Sequence, residues 1–280
     1  MGNYHRKIIM NVILLIIIII HSIQIDAKQS VYVNEMFTYV ALGDSVPAGY
    51  GLPSPLENSY PKLFSEMLKN DNNNVIDINL AESGITTEEL LNKLMNFSDD
   101  ELSLLKTADL LTLNIGGNNL LQPLLSSIRI NEAATPSQKV RMALRVLLLS
   151  PDEILIDALQ KGMVAFERDF IKILDFLHTA TPNATLIIST VYNPIPPEIK
   201  IYQIANEMIT NLNTFIINSQ EEYNYFIADI FAAFSEAEAN GVSVTNMNLR
   251  GPAYSIDIHP TIEGHRIIAQ VHKNVYKSHI

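Results

Sequence analysis

Apolar positions fall along this chain in five short runs, residues 37–42, 75–80, 110–115, 184–191 and 225–230. In the longer segments between them they recur every three or four residues. The first run is aromatic, β-branched and aliphatic throughout, the make-up of a strand buried on both faces in a parallel sheet. Tyr60, Leu63, Phe64, Met67 and Leu68 lie at helical spacing behind Asn58, Ser59 and Pro61. Thr86-Thr87-Glu88-Glu89 has the form of a capping box opening another helix, and residues 198–220 predict a helix ahead of the fifth strand. Strands alternating with helices predict an α/β domain, a parallel sheet with helices on both faces.

The third and fourth runs are separated by far more chain than the roughly 10 to 12 residues a crossover needs. Two helix starts are legible there, Thr135-Pro136-Ser137-Gln138 and Ser150-Pro151-Asp152-Glu153, each with a hydroxyl at N-cap and proline at the first helical position. The second predicts a crossover helix reaching toward Thr179, with Ile154, Ala158, Ala165, Phe166, Phe170, Ile173, Leu174 and Leu177 along one side. Residues of about 120–149, rich in leucine, then form a helical cap inserted after strand 3. They are either extra core or an apolar wall beside a site, suited to an acyl chain.

Where the runs stop, chemistry collects. The first ends at Gly43-Asp44-Ser45, and Gly43, Pro47, Gly49 and Gly51 break regular structure beyond it. Ser45 is thereby delivered to the C-terminal edge of the sheet, where open α/β sheets place their ligands, although a serine there is more often a helix N-cap. The second run ends at Ala81-Glu82-Ser83-Gly84 and the third at Gly116-Gly117-Asn118-Asn119. Far downstream, Asp257-Ile258-His259-Pro260 precedes Thr261, the N-cap of a last helix carrying Ile267, Ile268, Val271 and Val275. In extended backbone, residues two apart point the same way, so the Asp257 carboxylate can meet Nδ1–H of His259 and leave Nε2 free as a base. His178, His265, His272 and His279 fall on helical or terminal stretches and do not converge, and His265 and His272 are expected to be solvated.

The 280 residues, 48% of them hydrophobic, suffice for a full core. Residues 1–27 stand apart: Arg6 and Lys7 precede an apolar run at 8–20, and Ile25-Asp26-Ala27 offers a cleavage site. That length is typical of a secretory signal peptide and short for a membrane span. The expectation is a secreted domain over 28–280; an uncleaved signal would instead anchor it to a membrane. The chain contains no cysteine, so disulfides and cysteine-linked lipid are excluded. A net charge of −11 repels phosphate backbones and anionic lipid, so nucleic acid is not an expected partner.

Taken in order, Gly43-Asp44-Ser45, Gly84, Gly116-Gly117-Asn118-Asn119 and Asp257-Ile258-His259-Pro260 resemble the four blocks of the SGNH or GDSL hydrolases. The resemblance covers the chain after residue 27 except the helical insertion. It implies a flavodoxin-like three-layer α/β/α sandwich whose five-stranded parallel sheet has the order 2-1-3-4-5. It also implies Ser45 as nucleophile, His259 as general base, Asp257 as the acid orienting His259, and an oxyanion hole from the N–H groups of Ser45 and Gly84 with the Asn118 amide. The family often spaces its acid three residues before the histidine, and here the spacing is two. The residue after Asn118 is commonly Asp in the family and is Asn119 here.

These residue types suit ester hydrolysis through an acyl-enzyme, with no metal and no cofactor. An α/β-hydrolase would require Gly-x-Ser-x-Gly, whereas Ser45 is followed by Val46 and Pro47. A metallophosphoesterase drawing on Asp44, Asn118, Asp257 and His259 would have too few acidic ligands. The remaining alternatives are a non-catalytic module binding cell-wall glycans or lipids, an acyltransferase and a carbohydrate deacetylase. The expected partner is a small-molecule or lipid ester, with peripheral membrane or cell-wall contact left open. The aliphatic insertion and the absence of tryptophan favour an acyl ester, such as a lysophospholipid, over an acetylated sugar.

Overall fold

In the computed structural model, residues 36–71, 74–126, 151–248 and 255–279 are described. The expected signal peptide, Thr135, Ser150 and most of the inserted cap lie outside them. In chain order the elements are β1 (Met36–Gly43), α1 (Ser45–Ala48), α2 (Pro55–Asn58), α3 (Tyr60–Asn70), β2 (Asn74–Asn79), α4 (Thr87–Met95), α5 (Asp99–Lys106), β3 (Leu110–Asn114), α6 (Gly117–Ser126) and α7 (Asp152–Ala180). They continue with β4 (Thr185–Ser189), α8 (Tyr202–Asn218), α9 (Gln220–Tyr223), β5 (Phe226–Ala228), α10 (Ile230–Ala239), β6 (Thr245–Asn248), β7 (Ser255–Pro260) and α11 (Ile262–His279).

Strands β1 to β5 form one parallel sheet in the order β2-β1-β3-β4-β5, as expected. Successive side chains of a strand face opposite sides, and the sheet divides its residues accordingly. Val40, Leu42, Leu111, Leu113 and Ile188 join the core under α4, α6, α7 and α8. Tyr39, Ala41, Leu110 and Ile187 join the one under α3, α10 and α11. Both faces are covered, which is why β1 and β3 read as continuous apolar runs. The capping box at Thr86 and Glu89 is formed in both directions. A second box at Ser98 and Glu101 opens α5, a helix the apolar pattern did not reveal because Leu105 is its one buried residue.

The crossover helix α7 is capped by Pro151, one residue later than expected, and Ile154 is half exposed while Leu155 takes the buried position. The expected face of α11 is rotated as well. His265 and His272 are fully buried rather than solvated, on a stripe with Gly264, Ile268 and Ala269. Both have polar partners that the helical pattern alone does not disclose. Nδ1 of His265 accepts the Tyr60 N–H at 3.1 Å. Nδ1 of His272 donates to the Ile268 carbonyl at 2.8 Å, which leaves Nε2 to accept from the Ser189 hydroxyl at 3.2 Å.

Burial lowers the pKa of each of these histidines from 6.5 to about 4; the charge of His259 contributes further at His265, and the Ile268 carbonyl opposes the shift at His272. A folded pKa below the unfolded one means that the native state disfavours the proton. The associated stability is therefore complete above pH 6.5 and is lost as pH falls toward 4, on the order of 3 kcal/mol per histidine. Urea unfolding of wild type and of His265→Gln or His272→Gln across that interval should show wild type losing more stability than either variant. Parallel curves would contradict this account.

Candidate active site

Ser45 stands where β1 ends. Gly43 has φ +136° and lies so close to β3 that a Cβ there would be 2.0 Å from the Asn114 carbonyl oxygen, so only glycine fits. The Asp44 N–H donates to that same oxygen at 3.1 Å. Asp44 then caps α1, its Oδ1 accepting the Val46 N–H at 3.1 Å, and Ser45 becomes the first helical residue above the sheet edge. Burial lifts the Asp44 carboxyl from 3.8 to about 7, against the Val46 hydrogen bond. Its contribution to stability thus has the opposite sign to that of the buried histidines and is lost as pH rises toward 7.

Asp257 and His259 arrive on β7, which pairs antiparallel with β6 outside the main sheet. Met247 pairs with Ile256 and Thr245 with Pro260, so three residues of β7 stand opposite Asn246 alone. Bulges of this kind re-aim side chains and free backbone groups from the ladder. Here the bulge falls on residues 257–259, and Asp257 Oδ1 accepts the His259 N–H at 3.1 Å. The Tyr192 hydroxyl donates to the Ile258 carbonyl at 2.9 Å, tying the same segment to the end of β4.

The result is a continuous chain of polar contacts. Asp257 Oδ1 lies 2.5 Å from Nδ1 of His259, and Nε2 of His259 lies 2.9 Å from the Ser45 hydroxyl. The two-residue spacing of acid and histidine therefore delivers the carboxylate to the imidazole. The half-exposed Tyr50 ring lies over His259 with centroids 4.6 Å apart. Flanked by Gly49 and Gly51, Tyr50 went unnoticed in the sequence because those glycines read only as breakers.

Ser45, Gly84, Asn118 and His259 line one cavity of about 770 Å³, together with Ser83 and Tyr50. Gly84 has φ +90°, and a Cβ there would meet nothing within 4 Å, so conformation rather than crowding by the protein selects glycine. The Asn118 amide donates one hydrogen to the Ile85 carbonyl at 3.0 Å, which orients its side chain between the two loops. Asn119 is structural: its amide brackets Thr87, accepting from the backbone N–H at 3.0 Å and donating to the hydroxyl at 2.8 Å. His178 and His279 are exposed and take no part in the site. No group of three or more His, Asp or Glu able to hold a metal ion occurs among the described residues.

This arrangement can pass a hydroxyl proton to an imidazole whose far nitrogen is fixed by a carboxylate, beside donors suited to a developing oxyanion. Comparisons with known proteins identify the family and the fold. Residues 41–267 match the model of the GDSL-like Lipase/Acylhydrolase family. A lipase from a goat rumen metagenome is 20% identical with a TM-score of 0.63, over 85% of this chain and 97% of its own. Phospholipase A1 from Streptomyces albidoflavus is 18% identical with a TM-score of 0.62, over 85% and 99%. An acetyl xylan esterase from Geobacillus stearothermophilus is 16% identical with a TM-score of 0.55, over 85% and 93%. These structures share the fold, and no curated protein matches the chain. With the family match spanning most of the sequence, the chain belongs to the GDSL-like lipase/acylhydrolase family.

Proposed function

We propose that this protein is an exported serine hydrolase that cleaves carboxylic acyl esters through an acyl-enzyme. The observation that carries the reading is the 2.9 Å contact between the Ser45 hydroxyl and Nε2 of His259, with Asp257 on the opposite ring nitrogen. Ser45 attacks the ester carbonyl while His259 takes its proton, and Asp257 holds the ring in the tautomer that exposes Nε2. The N–H groups of Ser45 and Gly84 and the remaining Asn118 amide hydrogen receive the oxyanion. His259 then protonates the leaving alcohol, and a water activated by the same imidazole releases the acid. Export follows from the reading of residues 1–27 as a signal.

A fluorophosphonate probe tests the reading directly, because it captures a serine only where a base has activated it. Stoichiometric labelling that maps to Ser45 by peptide mass spectrometry is expected. An unlabelled Ser45 in folded protein would favour a non-catalytic binding module instead.

A further inference from the structure

A second cavity, of about 280 Å³, adjoins Ser45 and has lining the wide one lacks. Its apolar walls come from separated parts of the chain, among them Leu124 on α6, Leu159 on α7, Ile195 after β4, Ala205 and Ile209 on α8, and Met247 and Ile256 on the β6–β7 hairpin. Polar lining among the described residues is confined to Ser45 and its surroundings, namely Asp44, Asn114, Asn118, Tyr192 and His259. The two cavities share Ser45, Asn118, Leu121, Ile256, Ile258 and His259, so they meet at the reacting hydroxyl. An ester whose carbonyl sits at that junction must send its two arms in different directions.

We infer that the narrow crevice is the acyl-chain site, that it takes a medium-length aliphatic chain, and that Ala205 sets the length it accepts. The inference rests on the serine hydrolase reading above and goes further by assigning the two halves of the substrate. An aliphatic chain gains by leaving water for an aliphatic crevice, whereas an acetyl group leaves the crevice empty. At the roughly 30 Å³ that a water-sized group occupies in a liquid, the crevice holds on the order of nine carbon-sized groups. The alcohol half occupies the wide cavity, where Tyr50, Ser83 and Ser255 offer polar contacts. Ala205 and Ile209 stand one turn apart on α8 and line the crevice together. Ala205 is the smallest of the side chains walling it, so enlarging that residue shortens the space most directly.

The experiment is a chain-length series of p-nitrophenyl esters, acetate to palmitate, with purified wild type, Ala205→Leu and Ile209→Ala. Wild type should gain a factor of about four in kcat/KM per added methylene until the crevice fills. Ala205→Leu should lower the octanoate-to-acetate ratio of kcat/KM by tenfold or more. Ile209→Ala should move the optimum to longer chains. The opposed directions keep the test informative if one variant fails to fold. A wild type preferring acetate over every longer ester, or ratios that stay within twofold in the folded variants, would overturn the assignment. Fluorophosphonate labelling of Ser45 separates the two claims: labelling with unmoved chain-length profiles sinks only the crevice assignment, and failure to label sinks both.

Discussion

Ser45→Ala should reduce ester turnover by about 10⁶-fold in kcat while leaving the fold intact, the scale seen when the serine of a catalytic triad is removed. The fold should tolerate the change because the structural roles around Ser45 belong to other atoms. Asp44 supplies the cap of α1, and Gly43 supplies the close approach to β3. The Ser45 side chain's hydrogen bond is to His259. Thermal unfolding should therefore coincide with wild type within a few degrees, and p-nitrophenyl ester hydrolysis should fall to background. Activity within a hundredfold of wild type in purified Ser45→Ala would remove Ser45 from the reaction.

Asp257→Asn should reduce kcat by about 10⁴-fold, the scale of a wrong-tautomer defect. In wild type, Oδ1 of Asp257 accepts from both the His259 backbone N–H and Nδ1–H. An asparagine with its carbonyl at the Oδ1 position still accepts from both donors but lacks the charge that stabilises the imidazolium, and with its amide there it favours a proton on Nε2, the atom that must accept from Ser45. The loss should therefore appear mainly in kcat, with KM changed much less, and the rate of fluorophosphonate labelling should fall in parallel. A variant within tenfold of wild type would show that the carboxylate is dispensable and that the bulge alone positions the ring.

The sheet was legible because a strand covered on both faces is largely apolar, as in residues 110–113, where Thr112 is the one polar side chain. Ser45, Gly84 and Asn118 each lie within four residues of the end of such a run, and the resemblance to the four SGNH or GDSL blocks is what singled them out. The hairpin partner of β7 was not legible. Thr245-Asn246-Met247-Asn248 has no long apolar run, Thr245 is its one buried residue, and it is held chiefly through pairing with β7. His265 and His272 were misplaced because the pattern of Ile267, Ile268, Val271 and Val275 does not disclose a tyrosine N–H and a serine hydroxyl supplied by distant elements. The crevice is lined by side chains from widely separated segments, and juxtaposition of that kind leaves no local trace in the sequence.

The hairpin holding Asp257 and His259 comes after all five strands of the sheet, whereas Ser45 opens α1 directly behind the first of them. The strand that delivers the hydroxyl and the strand that delivers the imidazole and carboxylate are thus separated by the other four strands of the sheet in chain order. Under the proposed mechanism, any fragment that stops short of Asp257 and His259 holds its nucleophile without the base that would activate it.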